Sequence, residues 1–228
     1  MNNLKLMAIP QLMGKHFFIP DYQRGYKWEK DQVYALLRDL WRYFKSGIKQ
    51  DFYCLQPIVV KECPQETIEK YDLLDLSNLE AYGEDDTEKD GPKNNIWYEV
   101  IDGQQRLTTI RILLAFHKAR NFMSDQPFEL RYATRDGLHF IFDDLSIDIS
   151  NKKVSLPSTS QYSGYVDAEY IMDCANNIIN WFNDDNEITT NKYNELGTFL
   201  TNFYMDQSKD VKVQVIWYET TEQIDARD

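Results

Sequence analysis

Two short segments of the sequence concentrate the residue types that do chemistry. The first is Ile19-Pro20-Asp21-Tyr22-Gln23-Arg24-Gly25-Tyr26-Lys27-Trp28, with a rigid Pro, three aromatics, an amide and two cations in ten residues. Arg grips a phosphate through two parallel hydrogen bonds. Gln can read a base edge, and Tyr or Trp can stack on a base. The same composition also describes a strand-to-helix corner whose aromatics simply pack, and the residues alone leave both readings open. The second segment is Asp102-Gly103-Gln104-Gln105-Arg106. Asp102 is a good N-cap and Gln105 falls at N3, the pattern of a capping box. Gly103 permits an unusual backbone angle at the junction. The same junction suits an anion, because free N–H groups and the dipole at a helix start favour phosphate. Arg106, one turn in, could reach that anion. Asp102 could hold a divalent metal such as Mg²⁺ by one or two oxygens, or orient a water. The sequence has no Gly-x-x-x-x-Gly-Lys-Ser/Thr phosphate loop, no Gly-x-Gly-x-x-Gly dinucleotide loop and no Gly-x-Ser-x-Gly elbow.

The elements that must position these segments can be read from hydrophobic spacing. Phe17-Phe18-Ile19, stopped by Pro20, predicts a short strand leading into the first segment. Val33, Leu36, Leu37, Leu40, Trp41 and Phe44 recur at helical spacing and predict a helix over about 30–46 with a core-facing stripe. Ile58-Val59-Val60 reads as a buried strand. Trp97 to Ile101 reads as a strand that runs straight into Asp102, followed by a helix to about Phe122 whose buried face carries Leu107, Ile110 and Leu114. Phe128 to Tyr132 suggests another strand, then a Ser-rich loop over 150–164. Two amphipathic helices follow, one with Ile171, Ala175, Ile178 and Phe182, the other with Tyr193, Leu196, Leu200 and Phe203. The stretch Val211 to Trp217 predicts a closing strand. This order of strands and helices is α+β, or mixed α/β.

Composition bounds the function. The chain has 228 residues, 43% hydrophobic and 14% aromatic, enough for a real core, which excludes disorder as its main state. No apolar run approaches the ~20 residues of a membrane span, and the start lacks the apolar core of a secretory signal. Three scattered Cys (Cys54, Cys63, Cys174) and three scattered His (His16, His117, His139) fit a reducing cytoplasm and make neither a disulfide framework nor a zinc site. The net charge of −12 argues against nucleic acid, but it is unevenly spread. Residues 1–62 carry a net +4, 63–102 a net −9, 103–124 a net +4 and 125–228 a net −11. Both chemical segments touch the basic stretches, so a local anion-binding surface on an acidic protein is expected. Glu80 to Asp90 holds six acids and one Lys, which marks about 63–95 as an acidic surface insertion. A stop at Asp228, soon after a strand, suggests a split gene or a boundary inside a longer protein.

Ile19-Pro20-x-Tyr22-Gln23-Arg24-x-Tyr26-x-Trp28, followed by Val100-Ile101-Asp102-Gly103-Gln104-Gln105-Arg106-Leu107-Thr108-Thr109, resembles the N-terminal domain of GmrSD-type, modification-dependent restriction endonucleases. That domain is itself similar to ParB and sulfiredoxin. The resemblance is clear over about 10–122. It implies a ParB-like, nucleotide-binding core over 1–122 that contains the acidic insertion. A mainly helical extension ending in a strand would fill 123–228. It also implies a role in phage defence, with a separate HNH-type nuclease domain or subunit that is absent from this chain, so this chain alone is not expected to cut DNA. Carried over by residue, Asp102 and Arg106 become catalytic and Asp102 the Mg²⁺ ligand. Gly103, Gln104, Gln105 and Arg24 become the nucleotide and phosphate site, and Tyr22 and Gln23 contact DNA or nucleotide. The implied ligand is an NTP, GTP or ATP, with Mg²⁺, and the implied partners are nucleotide and DNA, with no membrane. Three readings stand side by side: an NTP-hydrolysing regulatory domain of a restriction protein, a non-catalytic DNA-binding module, and an interaction domain whose motifs are structural only.

Overall fold

The computed structural model describes residues 3–46, 52–73, 96–121, 127–135, 137–156, 162, 164–184, 192–204 and 213–221. In chain order the elements are β1 (Asn3–Ala8), β2 (His16–Ile19), α1 (Lys30–Lys45), β3 (Tyr53–Glu62), α2 (Gln65–Lys70), β4 (Trp97–Asp102) and α3 (Gln104–Asn121). They continue with β5 (Glu129–Tyr132), α4 (Ile141–Asp144), β6 (Ser146–Asp148), β7 (Lys153–Ser155), α5 (Val166–Trp181), α6 (Lys192–Tyr204) and β8 (Val213–Glu219). Six strands form one mixed sheet in the order β1-β8-β3-β4-β2-β5, and β6 and β7 form a separate antiparallel pair. The fold is therefore α+β.

Sheet register decides where the two chemical segments go. β2 is parallel to β4 on one side (Phe18↔Glu99) and to β5 on the other (Ile19↔Tyr132). Three neighbouring strands thus point the same way, and the chain leaves all three at one end of the sheet. β8 is an interior strand, antiparallel to β1 and parallel to β3. Its alternating Val213, Val215 and Trp217 are buried in the main core. That core lies on one sheet face, where α1 packs on α5 and α6, and α3 packs on α4, α5 and α6. A smaller cluster of Phe18, Cys63, Leu73 and Trp97, backed by Ile68 and Tyr71, covers part of the other face.

Several elements differ from the sequence reading, each for a physical reason. β1 carries exposed Leu4 and Leu6 and gave no burial pattern to read. β3 starts at Tyr53 rather than Ile58: Tyr53 to Leu55 already pair with β8, ahead of a register shift before Ile58 where Pro57 has no N–H for the ladder. β7 lies within the stretch read as a Ser-rich loop. α2 occupies the start of the stretch read as an insertion, and 74–95 lies outside the described residues. Residues 211 and 212 of the expected closing strand, and the Tyr193 side chain, also fall outside the description. α3 is not a one-faced helix. Every residue from Leu107 to His117 is buried, because helices and sheet enclose it on all sides. No described helix is long and apolar enough to cross a membrane.

Trp217 ties the sheet to the core, its ring meeting Tyr98 edge-on at 5.1 Å and Phe17 at 6.0 Å. Trp217→Ala is expected to cost about 3–5 kcal/mol, read as a fall in melting temperature of roughly 6–20 °C. Leu4→Ala, at a side chain 69% exposed, should stay within about 0.5 kcal/mol.

Candidate functional site

β2 and β4 run parallel, so Pro20–Trp28 and Asp102–Arg106 leave the sheet side by side. Ligands of open sheets with parallel strands commonly sit at such carboxyl ends. Pro20 is buried and closes β2, and the chain then loops over 20–29 to the start of α1. At the end of β4, Gly103 adopts φ +94°, a left-handed angle that favours glycine, and a Cβ there would lie 2.9 Å from the Pro57 carbonyl oxygen. The angle turns the strand directly into α3. The capping box expected at this turn does not form. Asp102 Oδ1 accepts from the adjacent Gly103 N–H at 2.7 Å, and the Gln105 side chain is drawn away by partners on the loop.

Those partners join the two segments into one corner. Gln23 Nε2 donates to the Ile101 carbonyl at 2.6 Å. Gln104 Nε2 donates to the Arg24 carbonyl. Gln105 Nε2 donates to the Gly25 carbonyl at 2.9 Å, while Gln105 Oε1 accepts from the Lys27 N–H at 2.9 Å. Beneath them, the Thr108 and Thr109 hydroxyls donate to the Gln104 and Gln105 carbonyls, each at 2.9 Å. With their protons so directed, Thr108 and Thr109 accept from the phenols of Tyr132 at 2.6 Å and Tyr26 at 2.9 Å. Tyr22 donates to Glu99 Oε1 at 2.8 Å, and Lys61 Nζ stands 3.2 Å from the same oxygen. Burial, reinforced by the Glu99 carboxylate, holds the Tyr22 phenol well above its usual range, so it stays a donor at neutral pH. Tyr22 as a whole remains 49% exposed.

The sequence-derived site residues therefore divide into two sets. Gln23, Gln104 and Gln105 commit their amide nitrogens to the backbone of the opposite segment. Arg24 and Asp102 are exposed, and the Arg24 guanidinium makes no bond to a described residue. Arg106 is half-buried, and donates to the Pro57 carbonyl and to Gln56 Oε1, both at 2.5 Å. Burial lowers its pKa while Asp102 opposes the shift, and a guanidinium stays charged regardless. Gly25 packs against Asp167 so closely that a Cβ on it would fall 1.5 Å from Asp167 Oδ1.

Glu99, Gln56, Tyr132 and Asp167 were not singled out from the sequence, and Thr108 and Thr109 entered only as the end of the family signature, with no role given to them. The adjacent Thr pair, polar on a helix otherwise rich in apolar residues, was the signal for a buried polar role.

The donor set fits a phosphate-bearing ligand with one Mg²⁺. The first intrahelical bond of α3 is Leu107 N–H to Gly103 O at 3.0 Å, so the N–H groups of Gln104 to Arg106 have no partner inside the helix. Mg²⁺ is commonly held by one or two carboxylates together with phosphates, and Asp102 supplies one exposed carboxylate. The described residues contain no group of three or more His, Cys, Asp or Glu placed to hold a metal alone. Among the described residues the buried Gln104 Oε1 has no hydrogen-bond partner.

The family model for the N-terminal domain of the GmrSD restriction endonuclease matches residues 9–228. No curated protein matches the chain.

Gln105→Ala removes both of its bonds to the loop and is expected to destabilise the protein by about 1–3 kcal/mol. Gly25→Ala, which forces a methyl into Asp167, should cost about 1–3 kcal/mol. Denaturant melts of the two variants against wild type check both values.

Proposed function

The chain belongs to the GmrSD restriction endonuclease N-terminal domain family, and from that premise we propose that it is the nucleotide-binding, NTP-hydrolysing regulatory domain of a DNA-modification-sensing restriction protein. Membership sets the restriction role. The use of nucleotide is our reading, and one observation carries it. The Gln side chains are committed to holding the corner, which leaves two cations, one carboxylate and a helix start together at the ends of parallel strands.

In this reading the N–H groups of Gln104 and Gln105 receive phosphate oxygens, aided by the positive end of α3. Arg24 and Arg106 neutralise charge that develops on the phosphates, the kind of preorganised electrostatic help that accelerates phosphoryl transfer most. Arg106 does so from a fixed position, because Pro57 and Gln56 hold its guanidinium. Asp102 would hold Mg²⁺ when it is bound, or would orient the attacking water. Bound Mg²⁺ would supply charge neutralisation on the phosphate oxygens. Gly103 provides the turn that brings Asp102 and the helix start together. The exposed Tyr22 ring offers a stacking face for a base of nucleotide or DNA, its hydroxyl fixed by Glu99. Gln23, with its amide nitrogen on Ile101, offers its amide oxygen. DNA cleavage falls to a partner nuclease domain or subunit.

A thermal-shift panel with GTP, ATP, UTP and CTP, with and without Mg²⁺, tests the reading. A nucleotide at a hundred times its dissociation constant stabilises by about 2.7 kcal/mol. Arg24→Ala should melt within about 0.5 kcal/mol of wild type, since the side chain is exposed and bonds to no described residue, yet lose the nucleotide shift. Phosphate release by wild type would report hydrolysis. No shift with any nucleotide, alongside DNA binding that weakens steeply with salt, would instead favour the DNA-binding module.

A further inference from the structure

The three parallel strands each release the chain at the same end of the sheet. β2 leads to Arg24 and β4 to Arg106. β5, in register with β2 through Ile19↔Tyr132, leads within three residues to Arg135. The junction is tight, because the Ala133 N–H donates to the Ile19 carbonyl at 2.9 Å. Arg135 therefore lies at the end of the third strand as Arg24 and Arg106 lie at the ends of the other two.

The Arg135 side chain is held in place. Its Nε donates to Asp167 Oδ2 and its Nη1 to Thr134 Oγ1, while its Nη2 bonds to no described residue. Asp167 is 3% exposed, at the first turn of α5, and its other oxygen lies directly against Gly25. One carboxylate thus separates the Arg135 guanidinium from the residue that follows Arg24. A buried ion pair of this kind is weak evidence for stability, since an apolar pair of similar volume often does as well. A carboxylate that fixes one edge of a guanidinium does leave the other edge oriented for a second anion.

We infer that Arg135 is a third phosphate-binding guanidinium of the site, with Asp167 as the positioning residue that holds it beside Gly25. This rests on the nucleotide reading above and extends it. The ligand is then gripped from three strands, and the site also reaches α5, so that binding at the corner is felt by the helical layer.

The test is affinity for GTP and for ATP, with Mg²⁺, followed by thermal-shift titration of wild type, Arg135→Gln, Asp167→Asn and the double variant. Arg135→Gln should melt lower, because Asp167 is left buried and unpaired, and should bind at least ten times more weakly. The double variant removes both charges. Its melting temperature should return toward wild type while its affinity stays at least tenfold weaker. Affinity that recovers together with the melting temperature would make the pair structural only and overturn the inference. So would wild-type affinity in Arg135→Gln. If Arg24→Ala loses nucleotide while Arg135→Gln keeps it, the inference fails and the nucleotide reading stands. If wild type binds neither nucleotide, both fall.

Discussion

The candidate site depends on hydrogen bonds from three glutamine side chains to backbone carbonyls of the opposite segment. Gln23 reaches from the β2–α1 loop to Ile101. Gln104 and Gln105 reach back from α3 to Arg24 and Gly25. The Arg24 and Gly25 carbonyls lie in a loop and have no ladder partner, and leaving such a group buried without one costs on the order of 1–3 kcal/mol. The glutamines satisfy those carbonyls and, in doing so, fix the separation of two segments nearly eighty residues apart in sequence. Without that clasp, the loop that carries Arg24 would be untied from Asp102 at the end of β4.

A second layer of polar groups makes the clasp rigid. Thr108 and Thr109 bond back to the carbonyls of the two glutamines and accept from two buried phenols, Tyr132 on β5 and Tyr26 on the loop. Burial pushes both phenols upward, so they remain donors and every oxygen in the chain has a consistent role. A connected polar network inside a low-dielectric core is held more firmly than its separate bonds would suggest. The first turn of α3, where a phosphate would be received, is therefore locked to β5 as well as to the loop.

Positioning of this kind suits the nucleotide-using role proposed for this domain. Phosphoryl chemistry asks the protein for placement and charge more than for covalent work. Here the elements that supply placement are buried and bonded, and those that supply charge stand at the rim. α3 runs through the core and contacts α4, α5 and α6. A ligand that stiffens the start of this helix would bear on the whole helical layer, a physical route by which a bound nucleotide could reach a partner nuclease.

The sequence by itself determined the α+β class, the helices at 30–46 and after Asp102, and the two segments that meet in the corner. It could do so because these rest on local signals: hydrophobic period, a Pro that stops a strand, a Gly where the chain must turn left-handed. Both segments also carried residue types dense enough to resemble a known family. The tertiary structure alone decided what each motif residue does. Nothing local distinguishes a glutamine that reads a base from one that bonds a loop carbonyl, and the capping box expected of Asp102 and Gln105 lost to partners from a distant loop. The same holds for Glu99 under Tyr22, Asp167 under Gly25, and β8 between β1 and β3. These are pairings between residues far apart in the chain, set by strand order and register, and a reading of local periodicity does not contain them.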